Sequence, residues 1–202
     1  MKKGILKERW NKYRKRKRWW SILFDFIFLV LIVGMLIPQS RKSISSFVVR
    51  QTLLAPRESS NTLILGKDDW DMKLQDREGR LVTLSDFRGK PIFINYWASW
   101  CPPCVAEMPS ISNLYDKYKD SVNFIFISTE SHIDAAKYLE KNSYDFPVYT
   151  TAGEIPEALI TSTIPTTILI SKGGNLVMYK TGAARWDSRN AYKIIDRLLS
   201  EI

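Results

Sequence analysis

Cysteine and histidine are scarce in this 202-residue chain, with two of the first and one of the second. A structural zinc ion takes four such ligands. His132 and a single cysteine pair leave that set incomplete. No internal repeat and no low-complexity tract is found, so repeat architectures are set aside. Charge of one sign is missing from most of the chain: from residue 38 onward 20 Lys and Arg face 19 Asp and Glu. The formal net charge of +9 comes from a tail, because residues 1–18 hold ten Lys or Arg and one acid, Glu8. The charge balance of the bulk therefore gives no sign of a nucleic-acid-binding protein.

Long apolar runs are also absent except for one, "WWSILFDFIFLVLIVGMLIP", directly after the tail. Trp19 to Ile37 is 19 residues, about 28 Å as a helix, which matches a hydrocarbon core. Trp19 and Trp20 stand where an aromatic belt would be, and the preceding cations keep the N-terminus cytoplasmic. The run is long for a signal peptide, and Pro38-Gln39-Ser40-Arg41-Lys42 offers no small-x-small cleavage site, so an uncleaved anchor is expected. Asp25 is the one charged residue in the run, read as a carboxyl that is protonated or reaches the headgroups, with a contact to a partner helix as the alternative. Residues 41–57 set Ile44, Phe47, Val48 and Leu54 at near-helical spacing among cations, with Pro56 as a stop. That piece is a helical spacer or lies on the outer membrane surface. "ESSNT" at 58–62 reads as a linker. The organisation expected is a basic tail at 1–18, an anchor at 19–37, a juxtamembrane linker at 38–60 and an outer domain at 61–202.

Within the outer domain, Trp70–Leu74 and Arg80–Leu84 read as two short strands around a turn, then a helical turn over "SDFRG". "PIFINYWA" and "VNFIFIS" are continuous apolar runs, as expected for strands buried on both faces. Helices are predicted at 102–119, 131–141, with Ile133, Ala136, Tyr138 and Leu139 inward or partly so, 154–160 and 187–199. "TTILI" and "LVMYK" flank Lys172-Gly173-Gly174-Asn175 as an antiparallel hairpin. A right-handed β-α-β crossover makes the first part parallel. The fold class is α/β, a mixed sheet with helices on both faces.

Both cysteines fall in "WASWCPPC", at a strand-to-helix junction. A helix N-terminus favours an anion, and the thiolate is the reactive form of cysteine. Cys101 is expected to be an exposed nucleophile and Cys104 a buried resolving thiol that releases a mixed disulfide. Pro102 and Pro103 suit the first helical turn and remove two N–H donors from the Cys101 thiolate, which favours a reducing couple. A copper–thiolate site and a purely structural disulfide are the alternatives these residues leave open.

"LSDFRGKPIFINYWASWCPPC", "EMP" and "IPTTILI", in this order over roughly 66–202, resemble the thioredoxin superfamily, in particular the membrane-anchored TlpA/ResA/CcmG-type thiol–disulfide oxidoreductases. The resemblance implies a thioredoxin-like fold with an N-terminal β-hairpin and a central insert at 129–162. It implies that Cys101 and Cys104 are the redox pair, that Pro165 is the cis-proline facing it, and that the backbone of Ile164 pairs with an extended substrate. Pro109 matches the helix-bending proline, and Glu107 and Glu130 match two acids near the active site. The buried aspartate of ordinary thioredoxins falls at Asn95, which takes no proton, so Glu107 is expected to modulate Cys104. Trp100 and Pro102 are expected at the substrate surface, Tyr96 and Trp97 in the core, and His132 on a surface helix.

The function expected is a reductant of extracytoplasmic protein disulfides, apocytochrome c among them, fed by a membrane electron donor, with no cofactor beyond the dithiol. A disulfide oxidant or isomerase and a copper-binding thiol module are the competing readings.

Overall fold

The structure is a computed structural model that describes residues 19–36, 38–57 and 63–201, without the side chains of residues 31 and 34–44. The basic tail, the 58–62 linker, Ile37 and the side chain of Ile44 lie outside the described residues. The chain divides into two compact units, 1–44 and 45–202. In the first, α1 (Trp19–Leu36) is an 18-residue helix whose described apolar side chains are exposed, among them Phe24, Phe26 and Phe28. Among the described residues no helix is long and apolar enough to cross a membrane. The spanning role expected of 19–37 is therefore a proposal.

Helix α2 (Pro38–Thr52) runs into the second unit and stops four residues before Pro56. From Ser45 onward its chain belongs with the folded domain. The Leu54 carbonyl accepts from the Arg185 N–H at 2.9 Å, and the Pro56 carbonyl accepts from Asn190 Nδ2 at 2.5 Å.

Among the described residues, eight strands form one mixed sheet. They are β1 (Leu63–Ile64), β2 (Lys73–Gln75), β3 (Leu81–Thr83), β4 (Ile92–Trp97), β5 (Asn123–Ser128), β6 (Val148–Thr151), β7 (Thr166–Ile170) and β8 (Asn175–Thr181). Their order is β1-β8-β7-β4-β5-β6-β2-β3. The β4–β5–β6 pairs are parallel and the others antiparallel. The helices are α3 (Lys67–Trp70), α4 (Pro102–Tyr118), α5 (His132–Lys141) and α6 (Arg189–Ser200), with a 3-10 turn at Leu84–Phe87. Ser131 and Ser188 cap α5 and α6, each accepting a backbone N–H.

Every residue of β4 is buried, and its period-2 alternation splits them between two cores. Phe93 and Trp97 join Phe124 and Phe126 of β5 under α4, α5 and α6, while Ile92, Ile94 and Tyr96 join Ile125 and Ile127 on the opposite face. Helices stand on both faces, unequally: α5 and α6, with Met108, Ile111 and Leu114 of α4, pack into the first core, and the second is covered by α3, the 3-10 turn and Leu159.

Three local expectations differ. Trp70 ends α3 instead of starting a strand, because it packs under the Ser171–Asn175 turn. There a Cβ on Gly174, at φ +83°, would come within 3.0 Å of the Trp70 ring. Residues 154–160 form one turn closed on the Pro156 carbonyl and no helix, since a proline at 156 disfavours helical backbone at Ile155. Ile133 is exposed, and Ala135 with Leu139 forms the inner face of α5. The two-residue pairing of β1 with β8 carries no periodicity to read and was not expected.

Candidate active site

The dithiol stands where β4 hands over to α4. Cys101 is the N-cap of α4, in extended conformation. Pro102 and Pro103 bring no N–H, so the first amide facing the cap is that of Cys104, which donates to Cys101 Sγ at 3.3 Å. The sulfurs are joined in a disulfide, with the Cα atoms 5.3 Å apart. Cys104 is fully buried, as expected. Cys101 is not the exposed residue expected, with 3% of its surface accessible. The Ile164 carbonyl lies 3.8 Å from its sulfur. The Ile164–Pro165 bond is cis, and β7 begins at the next residue.

Glu107 lies one helical turn beyond Cys104 on the inner face of α4 and is fully buried. Its Oε1 accepts from Asn95 Nδ2 at 3.0 Å, and its Oε2 accepts from the Ala184 N–H at 2.9 Å and Trp186 Nε1 at 3.0 Å. Burial pushes its pKa up to about 7, against the downward pull of these donors and of the Lys180 charge. Asn95 shares the helix-side face of β4 with Phe93 and Trp97, which sets it beneath Glu107. Ala184 and Trp186 were not anticipated, since they lie 77 and 79 residues further along the chain. An aromatic residue in the polar stretch "AARWDS" was the one available signal.

Glu130 follows β5, and its carboxylate clamps the loop ahead of the dithiol. Oε1 accepts from the Ser99 N–H at 2.7 Å and Oε2 from the Ser99 hydroxyl at 2.9 Å. Trp100 is 54% exposed and borders a groove of about 510 Å³ with Ile164, Ile155, Thr129, Thr161 and Thr163. Tyr96 and Trp97 are buried, and the Tyr96 hydroxyl donates to the Leu159 carbonyl at 2.9 Å. His132 begins α5, away from the dithiol contacts, and pairs with the Thr150 hydroxyl at 2.9 Å. Pro102 has an unexpected partner. The Ser46 hydroxyl, from α2, donates to its carbonyl at 3.1 Å. Among the described residues no cluster of three or more His, Cys, Asp or Glu could hold a metal ion.

A CxxC disulfide at a helix N-terminus, opposite a cis-proline on a mixed sheet, defines a thioredoxin-like thiol–disulfide oxidoreductase. Residues 56–195 match the Redoxin family, and the chain belongs to it. It is similar to the thiol-disulfide oxidoreductase ResA of Bacillus thuringiensis, 31% identical over 77% of this chain and 85% of that protein. ResA of Bacillus subtilis is 32% identical over 67% and 76%. A solved Chlorobium tepidum protein, named as a candidate thiol:disulfide interchange protein DsbE, superposes with a TM-score of 0.56 at 27% identity, covering 64% of this chain and 94% of that one. The redox class and the ResA/CcmG-like membership read from the motifs are thereby shown.

Proposed function

We propose that this oxidoreductase is a membrane-anchored reductant of extracytoplasmic protein disulfides. The single observation that carries it is the Cys101–Cys104 pair at the start of α4, facing the Ile164 carbonyl and the cis-proline. The reduced Cys101 thiolate attacks one sulfur of a substrate disulfide. The substrate S–S bond breaks and a Cys101–substrate disulfide forms as the first substrate thiolate leaves. Cys104 then attacks the Cys101 sulfur, expels the second substrate thiolate and closes the Cys101–Cys104 bond, so two electrons pass to the substrate. Glu107, buried one turn away with a pKa near neutrality, takes the Cys104 proton. No cofactor beyond the two thiols enters the cycle.

The Ile164 backbone pairs with an extended substrate strand, and the groove beside Trp100 receives its flanking side chains. Glu130 acts as a positioning residue through Ser99. The apolar stretch 19–37 behind ten cations supports a single-pass anchor with the catalytic domain outside, and apocytochrome c thiols and a membrane thiol-type electron donor fit that location. Pro102 and Pro103, which offer the Cys101 thiolate no N–H, favour the reducing direction.

The midpoint potential of the Cys101–Cys104 couple in the full chain, equilibrated against dithiothreitol or glutathione buffers, tests the direction. A value at or below about −270 mV supports the reductant, and one near about −120 mV makes the protein a disulfide-forming enzyme.

A further inference from the structure

We propose that Asn95 is a proton-coupled amide switch, its side chain turning over by half a rotation as Glu107 gains or loses its proton. The proposal deepens the reading of Glu107 as the proton-exchanging acid and rests on it.

Asn95 has no accessible surface, and its bonding is lopsided. Nδ2 donates twice, to Glu107 Oε1 at 3.0 Å and to Thr167 Oγ1 at 2.9 Å. Oδ1 is buried without a partner. An amide in this orientation suits an ionised Glu107, which only accepts. A proton arriving on Glu107 has one place to go. Oε2 already accepts from the Ala184 N–H and from Trp186 Nε1, neither of which can become an acceptor. The proton therefore lands on Oε1, where it would oppose the Nδ2 donor. Turning the amide removes the conflict. Oδ1 then accepts the Glu107 O–H, and it also accepts from Thr167, whose hydroxyl donates as readily as it accepts. Two hydrogen bonds exist before the turn and two after it, with one amide atom unpartnered in either state.

Register holds the three groups together, since Asn95 on β4 pairs directly with Thr167 on β7, two residues past the cis-proline. The other groups around Glu107 are fixed. Lys180 on β8 contributes a positive charge, Ser110 on α4 donates to the Glu107 backbone carbonyl, and Cys104 is held in the disulfide. Asn95 is thus a positioning residue that accommodates both forms of the acid. An aspartate there would compete for the proton, and a leucine could serve neither form.

The test is nuclear magnetic resonance on the oxidised full chain in detergent micelles between pH 5 and 9, following the Glu107 carboxyl carbon and the Asn95 side-chain NH₂. Both signals are expected to move with one midpoint. In Glu107→Gln, where the new amide donates as the protonated acid would, the Asn95 NH₂ is expected at its low-pH position throughout. Because the switch supports both forms, Asn95→Leu is expected to change the proton affinity of Glu107 by less than about tenfold. An Asn95 signal that stays still while Glu107 titrates overturns the switch alone. So does a Glu107→Gln signal at the high-pH position. A Glu107 carbon that does not move across this range overturns the acid reading and the switch together.

Discussion

Replacing Glu107 by Gln removes a titrating group from the centre of the domain, and the structure fixes the sign and size of the change. The folded pKa is raised from 4.5 to about 7, chiefly by burial. A shift of that size corresponds to about 3 kcal/mol. The sign follows from linkage, since the folded state binds this proton more tightly than the unfolded chain. The stabilisation is complete below about pH 4.5, fades as pH rises, and is gone above about pH 7. Glutamine stays neutral and carries no such slope. Urea unfolding of the oxidised protein and of Glu107→Gln, compared between pH 4.5 and 8, isolates the contribution, since distant groups titrate alike in both. Relative to the parent, the variant should gain about 3 kcal/mol across that interval. Parallel profiles would refute the reasoning, because they would mean that Glu107 ionises in the fold as readily as in water.

Two further substitutions address the dithiol and its support. Cys104→Ser should accumulate a Cys101–substrate mixed disulfide, visible as a shifted band on a non-reducing gel, while Cys101→Ser should give none. Glu130→Ala strips the Ser99 N–H and hydroxyl of their acceptor, and should lower stability by about 1–3 kcal/mol together with the rate of insulin disulfide reduction. Thermal melts and initial rates check both, and an unchanged rate would show that the clamp does not shape the site.

The parts of this fold that could be read from sequence are those whose signal is local. "PIFINYWA" is apolar throughout because Phe93 and Trp97 meet one core while Ile92, Ile94 and Tyr96 meet the other. Pro-Pro-Cys after Cys101 reads as a helix start because proline loses nothing at a first turn. The carboxylate at 107 could be placed by one-turn spacing from Cys104. Its burial by Trp186 and the Ala184 N–H could not, because no period links residues so far apart in the chain. Residues 154–160 have a composition compatible with a helix, and only their position over the second core shows why a single turn is enough. Ser46 was invisible for a similar reason. A serine in a spacer gives no sign that its hydroxyl reaches a carbonyl 56 residues ahead.

The bond from Ser46 to Pro102 changes how the tether ahead of the domain behaves as a polymer. A boundary near residue 60 would leave more than twenty residues of leash after the anchor proposed at 19–37, a reach of about 80 Å when extended. With the chain held to the domain from Ser46 through Pro56, the eight residues before Ser46 belong to α2 and span about 12 Å as helix. The same contact ends on the dithiol loop itself, so the far end of the leash is tied to the residue next to Cys101.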